Sequence, residues 1–395
     1  MLADDIRSLI KEGALIVRSP DGGTPFGAAK TNAAPIVVAL QDNSTLRRII
    51  MDPLLAVGEA YMNGALRLER GDIYDLLELA ARRLTHPPRK NERVGHNNRR
   101  AARRNVAHHY DLSGALYRLF LDADRQYSCA YFARPDMSLE QAQAAKKRHL
   151  AAKLLLKPGH RVLDIGSGWG GLALTLAEEY GATVTGVTLS EEQLNEAQAS
   201  AAKRGLLHRV DFQFKDYRDV TGQFDRIVSV GMFEHVGPTH YRAYFQTIAD
   251  AMAPDGVALV HTIGKSGGPA ANNRWIEKYI FPGGIIPTLS QITPAVEHAG
   301  LIVTDIEVLR LHYADTLRAW RERFARNRDA ARALYDERFC RMWEFYLAGA
   351  EAGFRAGGLV VFQIQLAKDK AVVPQTRDYI TDFDRAQPSF AVAAE

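Results

Sequence analysis

With 395 residues, at roughly 150 per domain, the chain has room for two to three domains and a sizeable core. Its 47% apolar, 24% charged and 9% aromatic residues sit on the globular average and exclude a wholly disordered, collagen-like or coiled-coil chain. Fifty basic against 46 acidic residues leave a net charge of +4, too weak a bias to indicate nucleic acid.

No stretch approaches the roughly 18 to 20 apolar residues of a membrane span. The start, MLADDIRSLIKEG, carries acids where a signal peptide would be basic. Cys129 and Cys340 are the two cysteines, so neither a disulfide framework nor paired zinc ligands are expected, and the setting is read as reducing and cytoplasmic.

Residues 1–85 mix short β-like runs (Ala14 to Val17, Ile36 to Leu40) with punctuation at Asp21, Gly22 and Gly23 and a helical segment from Pro53 to Asn63. That pattern predicts a small α+β domain. Over 86–108, the run HPPRKNERVGHNNRRAARRN sets Arg89, Lys90, Arg93, Arg99, Arg100, Arg103 and Arg104 against the single acid Glu92. It reads as a linker, either a solvated connector or a polybasic patch for an anionic surface. No aromatic residues are interleaved to stack on bases.

The second domain is read over 109–370. Leu112, Leu116, Leu119 and Phe120 fall at helical spacing, which predicts an amphipathic helix across YDLSGALYRLFLD whose default fate is core packing. The same stretch, directly after the basic run, is also a candidate membrane-docking face. A second helix is predicted from Leu139 to Leu156.

Strands and helices then alternate: RVLDI, a helix from Gly170, TVTGV, a helix from Glu191, RVDFQF, RIVSV, a helix from Tyr241 and GVALVHTI. The alternation predicts right-handed βαβ crossovers and an α/β fold with a doubly wound, mostly parallel sheet. Strands Leu301 to Leu309 and Leu359 to Leu366 flank one long helical stretch from Asp315 to Arg355. The tail 371–395 reads as peripheral.

The turn VLDIGSGWGGLALTLAEEYG puts Gly166, Gly168, Gly170 and Gly171 between a strand and a helix. Glycine there lets the backbone approach a ligand closely, and the helix start offers free N–H groups. Gly166, Gly168 and Gly171 formally satisfy the dinucleotide pattern. However, the end of the next strand carries Thr188 where an acid should hold the NAD ribose. Asp164, two residues before the first glycine, makes D-x-G-x-G-x-G, which looks like the first motif of S-adenosylmethionine-dependent methyltransferases.

YSCAYF (Tyr127 to Phe132), LDIGSGWGGLA (Leu163 to Ala173), GVTLSEEQL (Gly186 to Leu194), DRIVSVGMFEHVG (Asp225 to Gly237), HTIG (His261 to Gly264) and WIEKYIFPGG (Trp275 to Gly284) together resemble the cyclopropane-fatty-acyl-phospholipid synthases. The resemblance runs from about Gly13 to Lys368 and includes DPLLAVGEAYMNGAL (Asp52 to Leu66), which the shorter mycolic-acid enzymes lack. It implies a seven-stranded, Rossmann-like methyltransferase sheet with helical insertions. It also implies S-adenosylmethionine as methyl donor to the cis double bond of an acyl chain, with a bound bicarbonate removing a methyl proton as the ring closes.

By that resemblance, Tyr127 and Ser128 touch the methionine end of the cofactor. Asp164, Gly166, Gly168, Trp169 and Gly170 form its turn, Thr188 and Gln193 face the ribose, and Asp216 and Tyr217 border the adenine. Bicarbonate falls to Cys129, Glu234, His261, Ile263 through its backbone, and Tyr313. Unsaturated phospholipid at the inner face of a membrane, a peripheral association and a homodimer are also implied; nucleic acid is not.

The chemistry agrees, since a transient cation wants aromatic walls, for which Trp275, Tyr279, Phe281 and Tyr313 are available, and an anion wants donors. Plainer roles stay open: Cys129 as a small buried hydrophobe, His261 as a core histidine, Tyr313 as packing. Glu234, His235 and His240 lack a metal-binding spacing. Cys340 reads as core, and His108 and His109 as structural or surface residues. Ile286 and Thr288 stand where phospholipid enzymes commonly show Leu and Ser, beside the expected acyl pocket. A branched rather than cyclised product, a soluble small-molecule substrate and a non-enzymatic lipid-binding protein remain alternatives.

Overall fold

The computed structural model describes residues 15–20, 22–26, 34–82, 113–269 and 273–386. The basic run, His108, His109 and residues 387–395 lie outside the described residues.

Strands β1 (Leu15–Ser19), β2 (Gly22–Phe26), β3 (Ile36–Leu40) and β4 (Leu66–Arg70) form a sheet ordered β2-β1-β3-β4. Gly22 and Gly23, expected as turn punctuation, instead open β2, opposite Ser19 and Arg18. Glycine is tolerated there because β2 is an edge strand. Helices Asn43–Met51, Pro53–Met62 and Ile73–Ala81 accompany this sheet. Asp42 caps the first by accepting from Thr45 N at 2.7 Å, Pro53 begins the second where its missing N–H costs nothing, and Asp72 with Asp75 forms a capping box on the third.

This unit is keyed to the rest of the chain through the helix Arg274–Tyr279. Trp275 is fully buried, and a Cβ on Gly58 would come within 2.4 Å of its Nε1, so glycine is what lets the indole seat. Trp275 Nε1 donates to Met62 Sδ at 3.2 Å, while Glu59 accepts from Tyr279 Oη at 2.8 Å and Lys278 Nζ at 2.7 Å.

The large sheet comprises β5 (Arg161–Ile165), β6 (Thr183–Thr188), β7 (Val210–Phe214), β8 (Phe224–Val230), β9 (Met252–Lys265), β10 (Ile302–Leu309) and β11 (Leu359–Ala367). Their order is β10-β11-β9-β8-β5-β6-β7. β5 to β9 pair in parallel, and β11 lies antiparallel between β9 and β10. The chain lays β6 and β7 on one side of β5 and then β8 and β9 on the other. Connections therefore diverge at the carboxyl ends of β5 and β8 and leave a crevice there.

Three further expectations change. Within 113–120 only Gly114–Arg118 is helical, and Leu116, Tyr117 and Phe120 are fully buried; core packing wins, and that apolar face is not available to a membrane. The stretch from Asp315 to Arg355 is three helices, His312–Arg326, Arg328–Leu334 and Glu337–Arg355. Asn327 ends the first by donating from Nδ2 to Arg323 O and Leu119 O, and Asp336 starts the third by accepting from Phe339 N. The tail is not wholly peripheral either. In its helix Asp378–Ala386, Ile380 is buried, Phe383 stacks on Tyr180 at 5.5 Å, and Tyr379 Oη accepts from Gln365 at 2.9 Å. Cys340 is core, as expected.

Candidate active site

The crevice at β5 and β8 is a cleft of about 850 Å³, part of it open to solvent, and Gly166, Gly168, Thr188, Gln193, Asp216 and Tyr217 all line it. Thr188 Oγ1 donates to Gln193 Oε1 at 3.1 Å, which fixes the Gln193 amide with its nitrogen as the group left to donate. Asp216 is gripped by Arg218, whose Nε and Nη2 lie at 2.8 and 2.6 Å. The carboxylate expected at the adenine thus also fixes the guanidinium that stands 5.6 Å over the Tyr217 ring. His235 also lines the cleft, and burial lowers it to about 4, so it is neutral.

The glycine turn fits a ligand that needs close backbone approach. Gly168 has φ +55° and no protein atom within 4 Å of where a Cβ would stand, so that side of the backbone is open. Gly170 differs: a Cβ there would come within 2.6 Å of Phe212 and 3.0 Å of Ala197. Glycine is required there by packing against Phe212 and Ala197. Trp169 also does not line the cleft; it lies 4.9 Å from Tyr117, which lies 5.3 Å from Tyr127. Trp169 thereby ties the YSCAYF segment to the turn. Asp164 is buried behind it, with Oδ2 unpartnered among the described residues, and burial pushes its carboxyl up to about 7 against the pull of Lys146.

Lys146 carries no signal in the sequence that singles it out, yet it is fully buried beside Ser128. Tyr127, expected at the same end of the cofactor, stacks on Trp320 at 5.2 Å and shares a hydroxyl hydrogen bond with Tyr346 at 2.8 Å.

The residues assigned to bicarbonate divide into two groups. Glu234 Oε1 accepts from Ile263 N at 2.6 Å, so two of the expected ligands bond each other. Glu234 Oε2 is buried with no hydrogen-bond partner among the described residues, and burial raises its carboxyl to about 7. His261 Nδ1 accepts from Gln363 Nε2 at 3.2 Å, which leaves the proton on Nε2, and burial lowers its pKa to about 3. Cys129 and Tyr313 belong instead to an aromatic cluster that holds Trp275 and Trp320 in its core and takes Tyr279, Phe281 and Ile263 at its edge. Ile263 joins the two groups. Cys129 Sγ donates to Ala130 O at 3.3 Å, and burial pushes its thiol well up, so it is no base.

Among the described residues no group of three or more His, Cys, Asp or Glu could hold a metal ion. Thr288, noted as a departure near the acyl pocket, is a buried helix cap paired with Gln291, a role serine also performs.

The family model described as mycolic acid cyclopropane synthetase matches residues 97–364. The chain belongs to that family. A cyclopropane-fatty-acyl-phospholipid synthase of Escherichia coli is 38% identical over 362 residues, 87% of this chain and 90% of that one. A probable fatty acid methyltransferase of Pseudomonas putida is 40% identical over 352 residues, 85% and 88%. The solved mycolic acid cyclopropane synthase CmaA1, complexed with SAH and CTAB, has TM-score 0.64 and 36% identity, over 67% of this chain and 97% of that one. The protein is an S-adenosylmethionine-dependent methyltransferase of the cyclopropane-fatty-acid-synthase type.

Proposed function

We propose that the protein adds a methylene bridge across the cis double bond of unsaturated phospholipid acyl chains, making a cyclopropane ring, with bicarbonate as the base. The observation that carries this is the placement of Glu234, a buried half-partnered carboxyl between a cleft lined by its neighbours Met232 and His235 and the aromatic cluster reached through Ile263. Phospholipid is favoured over mycolic acid because the match to the E. coli synthase covers 362 residues, whereas that to the M. tuberculosis cyclopropane mycolic acid synthase 1 covers 277.

Bound S-adenosylmethionine supplies an electrophilic methyl group. Bicarbonate would be held by Cys129, Glu234, His261, Tyr313 and the Ile263 backbone, and would supply a base. The chain's own residues keep that region dry, surround developing positive charge with rings, and present a neutral imidazole. Glu234, which accepts from Ile263 N–H and whose carboxyl burial raises to about 7, would share that donor with the anion and take or return a proton near neutral pH.

Lipids from cells expressing the protein should gain one CH2 per unsaturated chain, with ring rather than methyl-branch fragmentation in gas chromatography and mass spectrometry. Methyl-branch fragmentation would instead support the second reading, a fatty-acyl methyltransferase. That reading is favoured by the likeness to the P. putida protein and to a tuberculostearic acid methyltransferase of M. tuberculosis, 39% identical over 370 residues.

Access to a bilayer is proposed to rest on the basic run, from a cytoplasmic protein docking peripherally. No helix among the described residues is long and apolar enough to cross a membrane. Basic side chains near an anionic leaflet contribute about 1 kcal/mol each and are screened by salt. Co-sedimentation with anionic vesicles should therefore fall steeply with salt, and fall further when Arg99, Arg100, Arg103 and Arg104 become Gln. Equal binding of both proteins at low and high salt sinks the docking idea.

A further inference from the structure

We infer that Lys146 is a positioning residue for the methyl donor: its ammonium orients and polarises the Ser128 hydroxyl so that this donates to the carboxylate of the donor's amino-acid end. The inference rests on the cofactor reading above and names a device within that site.

Lys146 lies in the helix Leu139–Lys153 and is 0% exposed. Its Nζ donates to Gln126 Oε1 at 2.6 Å and to Ser128 Oγ at 3.0 Å, both neutral acceptors. A cation taken from water into such surroundings is costly unless an anion joins it. The charged and titratable groups around it are Asp122, Asp124, Lys147, Cys129, Asp164 and His261. Asp124 is taken by Lys147 and Arg204. Asp122 is the acid that most favours the Lys146 ammonium, but burial raises its carboxyl, and its oxygens accept from the Gln126 and Asp124 backbone nitrogens rather than from Lys146. Burial of Cys129 and His261 keeps both neutral. Asp164 is the remaining acid, and its own burial favours the protonated form. The ammonium thus hydrogen-bonds two neutral oxygens and no carboxylate among the described residues, and burial lowers its pKa to about 8.

The direction of the hydrogen bond decides what Ser128 can do. An ammonium has donors only, so Ser128 Oγ must accept from it, and the serine proton is free to point away from Lys146. A hydroxyl whose oxygen already accepts from a cation is a stronger donor, and an anion is its natural acceptor. Gln126, the other Lys146 partner, reaches to 2.5 Å from where a Cβ on Gly171 would stand. Through Gln126 the Lys146–Ser128 pair is linked to Gly171 of the glycine turn, the first residue of the helix that follows it. S-adenosylmethionine and S-adenosylhomocysteine carry a carboxylate at that end; 5′-methylthioadenosine, identical at the adenosine end, has none.

Calorimetry with these two product-like ligands tests the assignment. Lys146→Met should weaken S-adenosylhomocysteine by about 10- to 100-fold, the range of a charge-assisted hydrogen bond, and leave 5′-methylthioadenosine unchanged. Ser128→Ala should show the same selective loss, and the double variant should be no worse than the weaker single, because the two act as one unit. Equal loss of both ligands in Ser128→Ala, or unchanged S-adenosylhomocysteine affinity in either single variant, overturns the inference. Should Lys146→Met lose its fold, the smaller Ser128→Ala change decides by the same criterion. If the unsubstituted protein binds neither ligand, the cofactor reading fails, a result distinct from failure of the Lys146 assignment.

Discussion

Glu234→Gln should lower product formation by about 10² to 10⁴, the usual span for losing general acid–base assistance, while S-adenosylhomocysteine affinity changes by no more than about threefold. Glutamine keeps the side-chain shape and one oxygen, so the Ile263 N–H retains its acceptor at 2.6 Å. What disappears is the capacity of the second oxygen, buried and unpartnered among the described residues, to take or release a proton. Tyr313→Phe tests the same step from the aromatic side. Normal turnover and normal product in both variants would end the assignment; a shift from ring to branched chain would strengthen it.

The same substitution has a signature in stability. Burial raises the Glu234 carboxyl to about 7 from an ordinary 4.5, so the folded state prefers the protonated form. Its stabilising share is complete below about pH 4.5 and is lost as pH rises through 7. Glutamine mimics the neutral acid at every pH. The melting temperature of Glu234→Gln relative to the unsubstituted protein should therefore rise between pH 5 and pH 8, and a pH-independent difference would mean that the carboxyl is not held out of water.

The doubly wound sheet was legible because β5, β6, β8 and the apolar part of β9 are runs such as RVLDI and RIVSV whose flanks alternate with helices, a pattern set by local chemistry. The position of β11 between β9 and β10 was not, since strand order is decided by packing across the sheet rather than by any local run. The cleft residues Gly166, Gly168, Thr188 and Gln193 were legible because each lies at a strand's carboxyl end or in the turn and helix start that follow it. Lys146 was not. The run Lys146, Lys147, Arg148, His149 puts four polar side chains at successive helix positions, with no apolar period to mark an inward face, yet all but Arg148 are buried. Each finds a separate acceptor: Ser128 and Gln126 for Lys146, Asp124 for Lys147, Glu307 for His149. Those acceptors lie as far away in sequence as residue 307, and no local pattern announces them. The converse error arose at Leu116 and Phe120, where one apolar stripe suits a membrane or a core equally well until the partners Tyr127, Trp320 and Trp343 are placed around it.

Gly168→Val should abolish binding of S-adenosylhomocysteine in calorimetry while the protein still folds. Two terms act in opposite places. The backbone at Gly168 has φ +55°, where a residue bearing a Cβ is strained by roughly 1 to 2 kcal/mol, a cost a domain of this size survives. Apart from its chain neighbours, nothing lies within 4 Å of the Cβ position, and Gly168 lines the cleft, so the valine side chain is expected to take up the ligand's volume rather than the protein's. Gly170→Val provides the contrast within the same turn. Its φ is +84° and its Cβ would meet Phe212 and Ala197 inside van der Waals distance, so the strain and the collision both fall on the protein's own core. That variant should lose thermal stability first, and cofactor binding only as a consequence. If Gly168→Val binds normally, or if it unfolds like Gly170→Val, the open side of the turn is not the cofactor's side, and the placement of the methyl donor along β5 and β8 falls with it.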